Sequence, residues 1–398
     1  MNLPYRSMAL LLCAVLAAAV TIAKPAASGG TYSVVVLGDL HYDGDTPGKF
    51  HGEYLKTLNG AKPKRLDEFR RNAKMWAGPS RIMLAASGKC ASPDTAFVLQ
   101  LGDLIQGDCE SDAIHTQMLT EATSLLETTF PGLPIVTVCG NHDIRRGTST
   151  RGAANAYGQF MLPYLTRQLS GIVTNAVTKK TFGFRRGPDL WIFADFNVGE
   201  RDLGVIKRLL ADNEDARYTF FCSHGPVIPS DISAKNHARR GIFLGAEKND
   251  SRRREMRAIF ARRNVIVLCG HLHDLEHNVW QGDGGSITEM LLNSVLSRNS
   301  KLDNPAKPEV VFDSPAHYGD WPADKVRDAE TAAIDALFAE YRPGLIRRYA
   351  ARAAGHYALR VSDSSVTIDY YGLDATTPTK TFVLRGQDMS TTMQRSPK

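Results

Sequence analysis

The tetrad Gly-His-Leu-His at 270–273 places two imidazoles one residue apart, directly behind the apolar run Val265–Leu268 and Cys269. With 33 Gly and 11 His in 398 residues, a GHxH is expected about 0.025 times by chance. The same design recurs upstream: GDLH at 38–41 behind VVVL, GDL at 102–104 behind FVLQL, GNHD at 140–143 behind PIVTVC, and SHG at 223–225 behind TFFC. Imidazole and hard oxygen donors in this mixture, with no CxxC spacing, suit Mn, Fe, Zn or Mg better than a thiolate site does. Asp39, His41, Asp103, Asn141, His224, His271 and His273 are too many for one ion that keeps room for water, whereas two divalent ions sharing a carboxylate use them all. Such a pair, roughly 3.5 to 4 Å apart, can hold the attacking and leaving oxygens of a phosphoryl group. Water bridging it ionises near neutral pH.

These residues need a scaffold that delivers them to one place. Runs rich in Val and Ile suit strands buried on both faces, and α/β proteins put chemistry where such strands end. Helical spacing appears between the runs: Leu66, Phe69, Ala73 and Trp76; Ile114, Met118, Ala122 and Leu125; Tyr157, Phe160, Met161 and Tyr164; Leu203, Ile206, Leu209 and Leu210. Alternation of strand and helix predicts helices packed outside a sheet through right-handed crossovers. Two β-rich stretches, 181–196 and 357–372, read as hairpins, the second turning at Asp363–Ser365, so a second sheet is expected and the fold is α/β with mixed sheets. Residues 44–94 read as a Gly-, Pro- and Lys-rich insertion with one helix near 64–77, able to cover the site as a lid. Residues 298–352 form a second insertion, helical over 323–350, and 387–398 read as a flexible tail.

Met1–Ala23 has Arg6 followed by an uncharged Leu- and Ala-rich run, which is shaped like a secretory signal cleaved after Ala23, with Thr21 and Ala23 as the small residues. The expected mature protein is one domain over 32–386, periplasmic or secreted, with no membrane contact after cleavage. Export permits disulfides. Cys139, Cys222 and Cys269 read as core residues, leaving Cys90 and Cys109 as the plausible pair. The net charge of +6 is a modest bias toward anionic substrates. The basic runs Arg252–Arg254 and Arg262–Arg263 flank the helix-period set Met256, Ile259 and Phe260, as on a solvated helix face. They lack the interleaved aromatics of a single-stranded nucleic-acid surface. Lone histidines such as His51 and His237 read as structural or exposed.

The order and number of the motifs resemble those of the calcineurin-like metallophosphoesterases: GDLH, GDL, GNHD, SHG and GHLH, with DFNVGERDLGVIKRLL at 195–210 similar to that family's segment before the histidine strand. The resemblance spans roughly 32–295. It implies a four-layer αββα sandwich of two mixed β-sheets flanked by helices, with a dinuclear centre of Mn, Fe or Zn at the strand ends. One ion then takes Asp39, His41 and His273, the other Asn141, His224 and His271, and Asp103 bridges. His142 follows as general acid. Its place beside Asn141 and the ordinary histidine pKa suit that role independently. Asp143 reads as a residue that positions His142 or a ligand, or caps a turn; Arg145 and Arg146 read as phosphate contacts or ordinary loop arginines.

Two departures limit the analogy. Where phosphoprotein phosphatases of this family carry GDxxDR, the fifth position here is Gln106, so the acid-orienting aspartate is absent. Where purple acid phosphatases carry a ligand tyrosine, the same slot is again Gln106, so an iron–tyrosinate site is not expected. The resemblance therefore implies hydrolysis of small phosphate mono- or diesters by metal-hydroxide attack with His142 as acid. A phosphate-ester-binding metalloprotein without turnover, or a nuclease, are the competing readings.

Overall fold

The run Tyr32–Leu37 is buried at every residue, as a strand covered on both faces must be. The structure, a computed structural model, describes residues 30–46, 48–51, 63–109, 111–145, 150–173, 175–230, 238–245, 247–295, 308–319 and 329–386. The leader-like segment, His237, Arg146 and the tail lie outside them. In chain order come β1 (Tyr32–Leu37), α1 (Pro63–Trp76), α2 (Pro79–Lys89), β2 (Thr95–Gln100), α3 (Asp112–Thr129), β3 (Ile135–Thr137) and α4 (Thr150–Gln168). The middle of the chain supplies β4 (Phe182–Arg186), β5 (Asp189–Phe193), α5 (Glu200–Ala211), β6 (Thr219–Cys222), α6 (Asp250–Arg262) and β7 (Ile266–Cys269). The rest forms β8 (Leu275–Gly282), β9 (Gly285–Leu291), β10 (Glu309–Phe312), α7 (Ala329–Tyr341), β11 (Leu345–Arg352), β12 (His356–Val361), β13 (Val366–Tyr371) and β14 (Lys380–Arg385).

Two mixed sheets result, as expected, with orders β14-β13-β12-β1-β2-β3 and β10-β11-β8-β9-β7-β6-β5-β4. The chemistry-bearing strands are parallel within each sheet: β1, β2 and β3 in one, β5, β6 and β7 in the other. Their carboxyl ends therefore open on the same side of their sheet. Both expected hairpins are present, β4–β5 and β12–β13. One apolar core holds Val34, Val36, Leu99, Trp191, Phe220, Leu268 and Leu359, side chains from both sheets. A second lies outside the larger sheet, where Ile192, Phe221 and Val267 meet Leu203, Ile206, Met256 and Phe260 of α5 and α6.

Several local expectations are corrected. The segment 44–94 contains two helices: α2 opens with Pro79 in its first turn, a residue whose missing N–H is no loss there, and it buries Met83 and Leu84. Helix α1 is packed against the loops of the site, with Trp76 only 2% exposed, and residues 52–62 of this segment lie outside the described residues. Among the described residues of the second insertion, α-helix spans Ala329–Tyr341, residues 320–328 lying outside them, after which Arg342–Gly344 turns the chain into β11. There Tyr349, Ala350 and Ala351 are buried against β8, so sheet pairing overrides a helix-compatible composition. Arg253 is not solvated: it is buried and pairs with Asp250 at 2.6 Å and Glu340 at 2.7 Å. Cys90 and Cys109 are free thiols, Cys90 Sγ lying 3.4 Å from His356 Nε2 and Cys109 Sγ 3.9 Å from Ser111 O. Cys139, Cys222 and Cys269 are buried core residues, as read. Among the described residues no helix is long and apolar enough to cross a membrane.

Candidate metal centre

Each sheet delivers half of the site. Asp39 and His41 follow β1, Asp103 follows β2, and Asn141 and His142 follow β3; His224 follows β6, and His271 and His273 follow β7. Strand ends must reverse sharply to aim these side chains inward. His41, Asp103, His271 and His273 accordingly sit at positive φ, of 47°, 51°, 79° and 59°. Left-handed backbone at non-glycine residues persists only where its surroundings impose it, and it clusters at functional sites. Close approach also demands glycine: a Cβ on Gly140 would stand 2.1 Å from Asp103 N.

The candidate donors converge into two groups that share one residue. Asp39, His41, Asp103 and His273 each present an atom within 4.8 Å of the others, and so do Asp103, His224 and His271. His41 Nε2 lies 3.0 Å from His273 Nε2 and 3.5 Å from Asp103 Oδ2. His224 Nε2 faces Asp103 Oδ2 at 3.1 Å, His271 Nδ1 at 3.1 Å and Asn141 Oδ1 at 3.2 Å. The sequence thus named every residue of the cluster, and Asp103 stands between the two groups.

Hydrogen bonds behind the cluster decide which atoms face inward. His224 Nδ1 donates to Leu101 O at 2.9 Å and His41 Nδ1 donates to Gln106 Oε1 at 3.0 Å, which leaves a lone pair on each Nε2. Those lone pairs point at carboxylate, amide and imidazole acceptors 3.0–3.2 Å away. Acceptors repel acceptors, so the arrangement requires positive charge among them. Two divalent cations fit this donor set of imidazole, carboxylate and amide oxygen. The electrostatics agree. Burial, reinforced by Asp103, raises Asp39 to about 7. Burial lowers His224, yet Asp103 and Asp39 overcome it and hold the imidazole up at about 9. Protons here do the work that cations would do.

The residues that fix this geometry are mostly ones the sequence did not single out. Asp39 accepts the His271 N–H at 2.9 Å, and Asp103 Oδ1 accepts that of His142 at 2.7 Å, freeing Oδ2. Asp143 ties the second and third strand ends together, accepting from Ile105 N at 3.1 Å and Gly140 N at 2.8 Å. It is a clamp on the loops. Trp76 Nε1 donates to His41 O at 2.9 Å. Asn72 donates to Gln106 Oε1 at 2.8 Å, while Gln106 Nε2 donates to Glu68 at 3.0 Å. Asn293 Nδ2 holds His273 O at 3.0 Å. Asp143 of GNHD and Gln106 stand in motifs, whereas only spatial neighbourhood identifies Glu68, Asn72, Trp76 and Asn293. His51 is structural, bonded to Asp43 and stacked on Phe69 at 3.7 Å.

His142 lies edge-on to His41, ring centroids 4.3 Å apart. Its Nδ1 is 2.8 Å from Gln106 O and 2.8 Å from Arg145 Nη2. A protonated ring donates Nδ1–H to the carbonyl; a neutral ring protonated on Nε2 accepts from the guanidinium. Arg145 is itself held by Asp108 at 2.7 Å, so it serves His142. The expectation of a near-neutral acid is corrected: burial, with His41 and Arg145, pushes His142 well below the ordinary histidine value, against the pull of Asp103.

Beside Asn141 and His271 opens a cleft of about 460 Å³ that Phe196, Asn197, Arg240 and Ile242 also line. Phe196 packs 5.4 Å from the His271 ring. A family model described as Calcineurin-like phosphoesterase matches residues 32–275, the span that carries all eight residues. Among solved structures, a purple acid phosphatase from yellow lupin (Lupinus luteus) seeds is similar at 12% identity and TM-score 0.51, over 90% of this chain and 54% of that one. PhoD matches at 11% identity and TM-score 0.49, over 89% and 68%. A dimetal phosphatase from Danio rerio matches at 12% identity and TM-score 0.45, over 89% and 99%. The likeness to the lupin enzyme is one of fold, and this chain spans about half of its length. No curated protein sequence matches significantly.

Proposed function

This chain belongs to the calcineurin-like phosphoesterases, and from that premise we propose that it hydrolyses small phosphate mono- or diesters with two divalent cations. The observation that carries the reading is the convergence of lone pairs on His224 Nε2, Asp103 Oδ2, Asn141 Oδ1 and His271 Nδ1. Asp39, His41 and His273 would hold one cation, Asn141, His224 and His271 the other, and Asp103 both. When bound, the pair supplies positive charge to the phosphoryl oxygens and acidifies a water.

The chain itself does the rest. Water attacks phosphorus in line as the bond to the leaving oxygen breaks, and that oxygen takes its proton from His142 Nε2. Gln106 O aims the ring by accepting from Nδ1. An anionic phosphate beside His142 raises its proton affinity, which offsets the depression by burial, His41 and Arg145. The leaving group lies in the cleft lined by Phe196, Asn197 and Arg240. Arg240 is exposed and makes no ion pair among the described residues, so it is available to an anionic leaving group.

The test is hydrolysis of paired esters by wild type and His142→Ala with Mn²⁺. For an alkyl phosphate, whose leaving group needs a proton, kcat should fall about 10²- to 10⁴-fold. For 4-nitrophenyl phosphate the loss should be far smaller. Equal losses on both substrates would remove His142 from the acid role, and no turnover with any divalent ion would remove the hydrolase reading.

A further inference from the structure

At the opposite end of the parallel strands from the metal centre lies a cavity of about 560 Å³ lined by Arg217, Tyr218, Arg262, Arg263, Arg385 and Glu214 among others. Thr219, the first residue of β6, is on its wall, and His224 lies five residues farther along, roughly 17 Å at strand rise. The arginines come from three separate places: the turn before β6, the end of α6 and the end of β14.

Their charges are not balanced from within. Arg217 is paired, with Asp189 at 2.7 Å and Asp363 at 2.5 Å. The other three have no carboxylate partner among the described residues. Arg385 donates to Thr288 Oγ1 at 2.7 Å, Leu384 O at 3.2 Å and Asn264 O. Arg263 donates to Asn213 O at 2.7 Å, and Arg262 is exposed. Neutral oxygens satisfy N–H groups but leave the charge uncompensated. Burial lowers Arg385 to about 10, so it stays cationic at neutral pH. The carboxyl end of α6 contributes roughly half a negative charge, and Asp215, which Arg263 influences, is bound to Arg185 at 2.9 Å. Glu214 is the one carboxylate among the residues that line the cavity. Positive charge therefore remains in excess on a concave wall of ligand size.

We propose that this cavity is a second, metal-independent binding site for a small oligoanion carrying two or more phosphate groups, held by Arg262, Arg263 and Arg385. Guanidinium forks suit phosphate oxygens in bidentate pairs. The phosphates belong either to a soluble compound or to a lipid headgroup.

The probe is methylenediphosphonate, which resists hydrolysis, titrated calorimetrically into the full-length protein with Mn²⁺ and again with excess chelator. Binding at this site should persist in chelator, weaken about tenfold or more in Arg262→Gln, and weaken further in Arg262→Gln/Arg385→Gln. Asp103→Asn should leave the chelator-resistant binding unchanged. Arg262 is exposed, so its variant keeps the test valid if the double variant fails to fold. Sedimentation with vesicles containing phosphatidylinositol bisphosphate separates the sources: Arg262-dependent capture identifies a headgroup, and diphosphonate binding without capture identifies a soluble anion. Loss of all binding in chelator, or wild-type affinity in Arg262→Gln, would overturn the proposal.

Discussion

Gln106 governs two histidines with different atoms. Its Oε1 accepts from His41 Nδ1 at 3.0 Å, and its main-chain oxygen accepts from His142 Nδ1 at 2.8 Å. Gln106→Leu removes the first bond and keeps the second. Because a partner behind a metal-binding histidine typically sets 10- to 100-fold in affinity, Mn²⁺ binding should weaken by about that factor, while kcat at saturating Mn²⁺ stays within a few-fold of wild type. Unchanged Mn²⁺ affinity in direct binding would show that His41 needs no such support. The sequence displayed this position only as a missing aspartate. That a carbonyl would take over its task was illegible, because every residue has one and only the fold says where it points. The eight polar residues at strand ends were legible for the opposite reason: their side-chain types are rare in apolar surroundings and recur in one pattern. Arg145 and Asp108, whose ion pair borders His142, lacked such a signal.

Among elements, the loops after β2 and β3 interlock more tightly than any motif reveals. Gly107 has φ of 65°, and a Cβ there would stand 2.2 Å from His142 O. Gly187, in the β4–β5 turn, has φ of 56° with nothing within 4 Å. Gly187→Ala should therefore cost only the left-handed penalty, about 1–2 kcal/mol, with activity unchanged. Gly107→Ala adds overpacking of about 1–3 kcal/mol and displaces the main chain of the acid, so kcat should fall as well. Urea unfolding and kcat for both variants check the pair; equal stability losses with full activity in each would mean that the loops yield freely. Strands and hairpins were readable because long apolar runs and turn residues act locally. Helix α2 was hidden by its glycine and serines, and β11 by composition that suits helix equally well until pairing with β8 decides.

Across the whole molecule, the site depends on two sheets staying in contact, and two buried histidines are held neutral there, one at that contact and one between the smaller sheet and the end of α2. His277 of β8 meets Phe382 of β14, ring centroids 5.5 Å apart, joining the sheets. His356 of β12 stacks on Tyr371 at 5.2 Å and touches Cys90. Burial holds His277 down at about 3, helped by Arg347 and Lys380, and His356 at about 4. Both folded values lie below the unfolded value of roughly 6.5. Unfolding therefore takes up protons: the stability these groups contribute is complete above about pH 6.5 and is lost as pH falls toward the folded values. Linkage puts the loss on the order of 2 kcal/mol per histidine between pH 7 and pH 5. The metal-centre histidines add their own acid dependence, which is common to wild type and to His277→Gln/His356→Gln. The difference between the two proteins isolates the buried pair. Urea denaturation in chelator at pH 7 and pH 5 should show wild type losing about 4 kcal/mol more than the double variant. Parallel losses would mean that water reaches both rings in the native state and that their surroundings tolerate the charge.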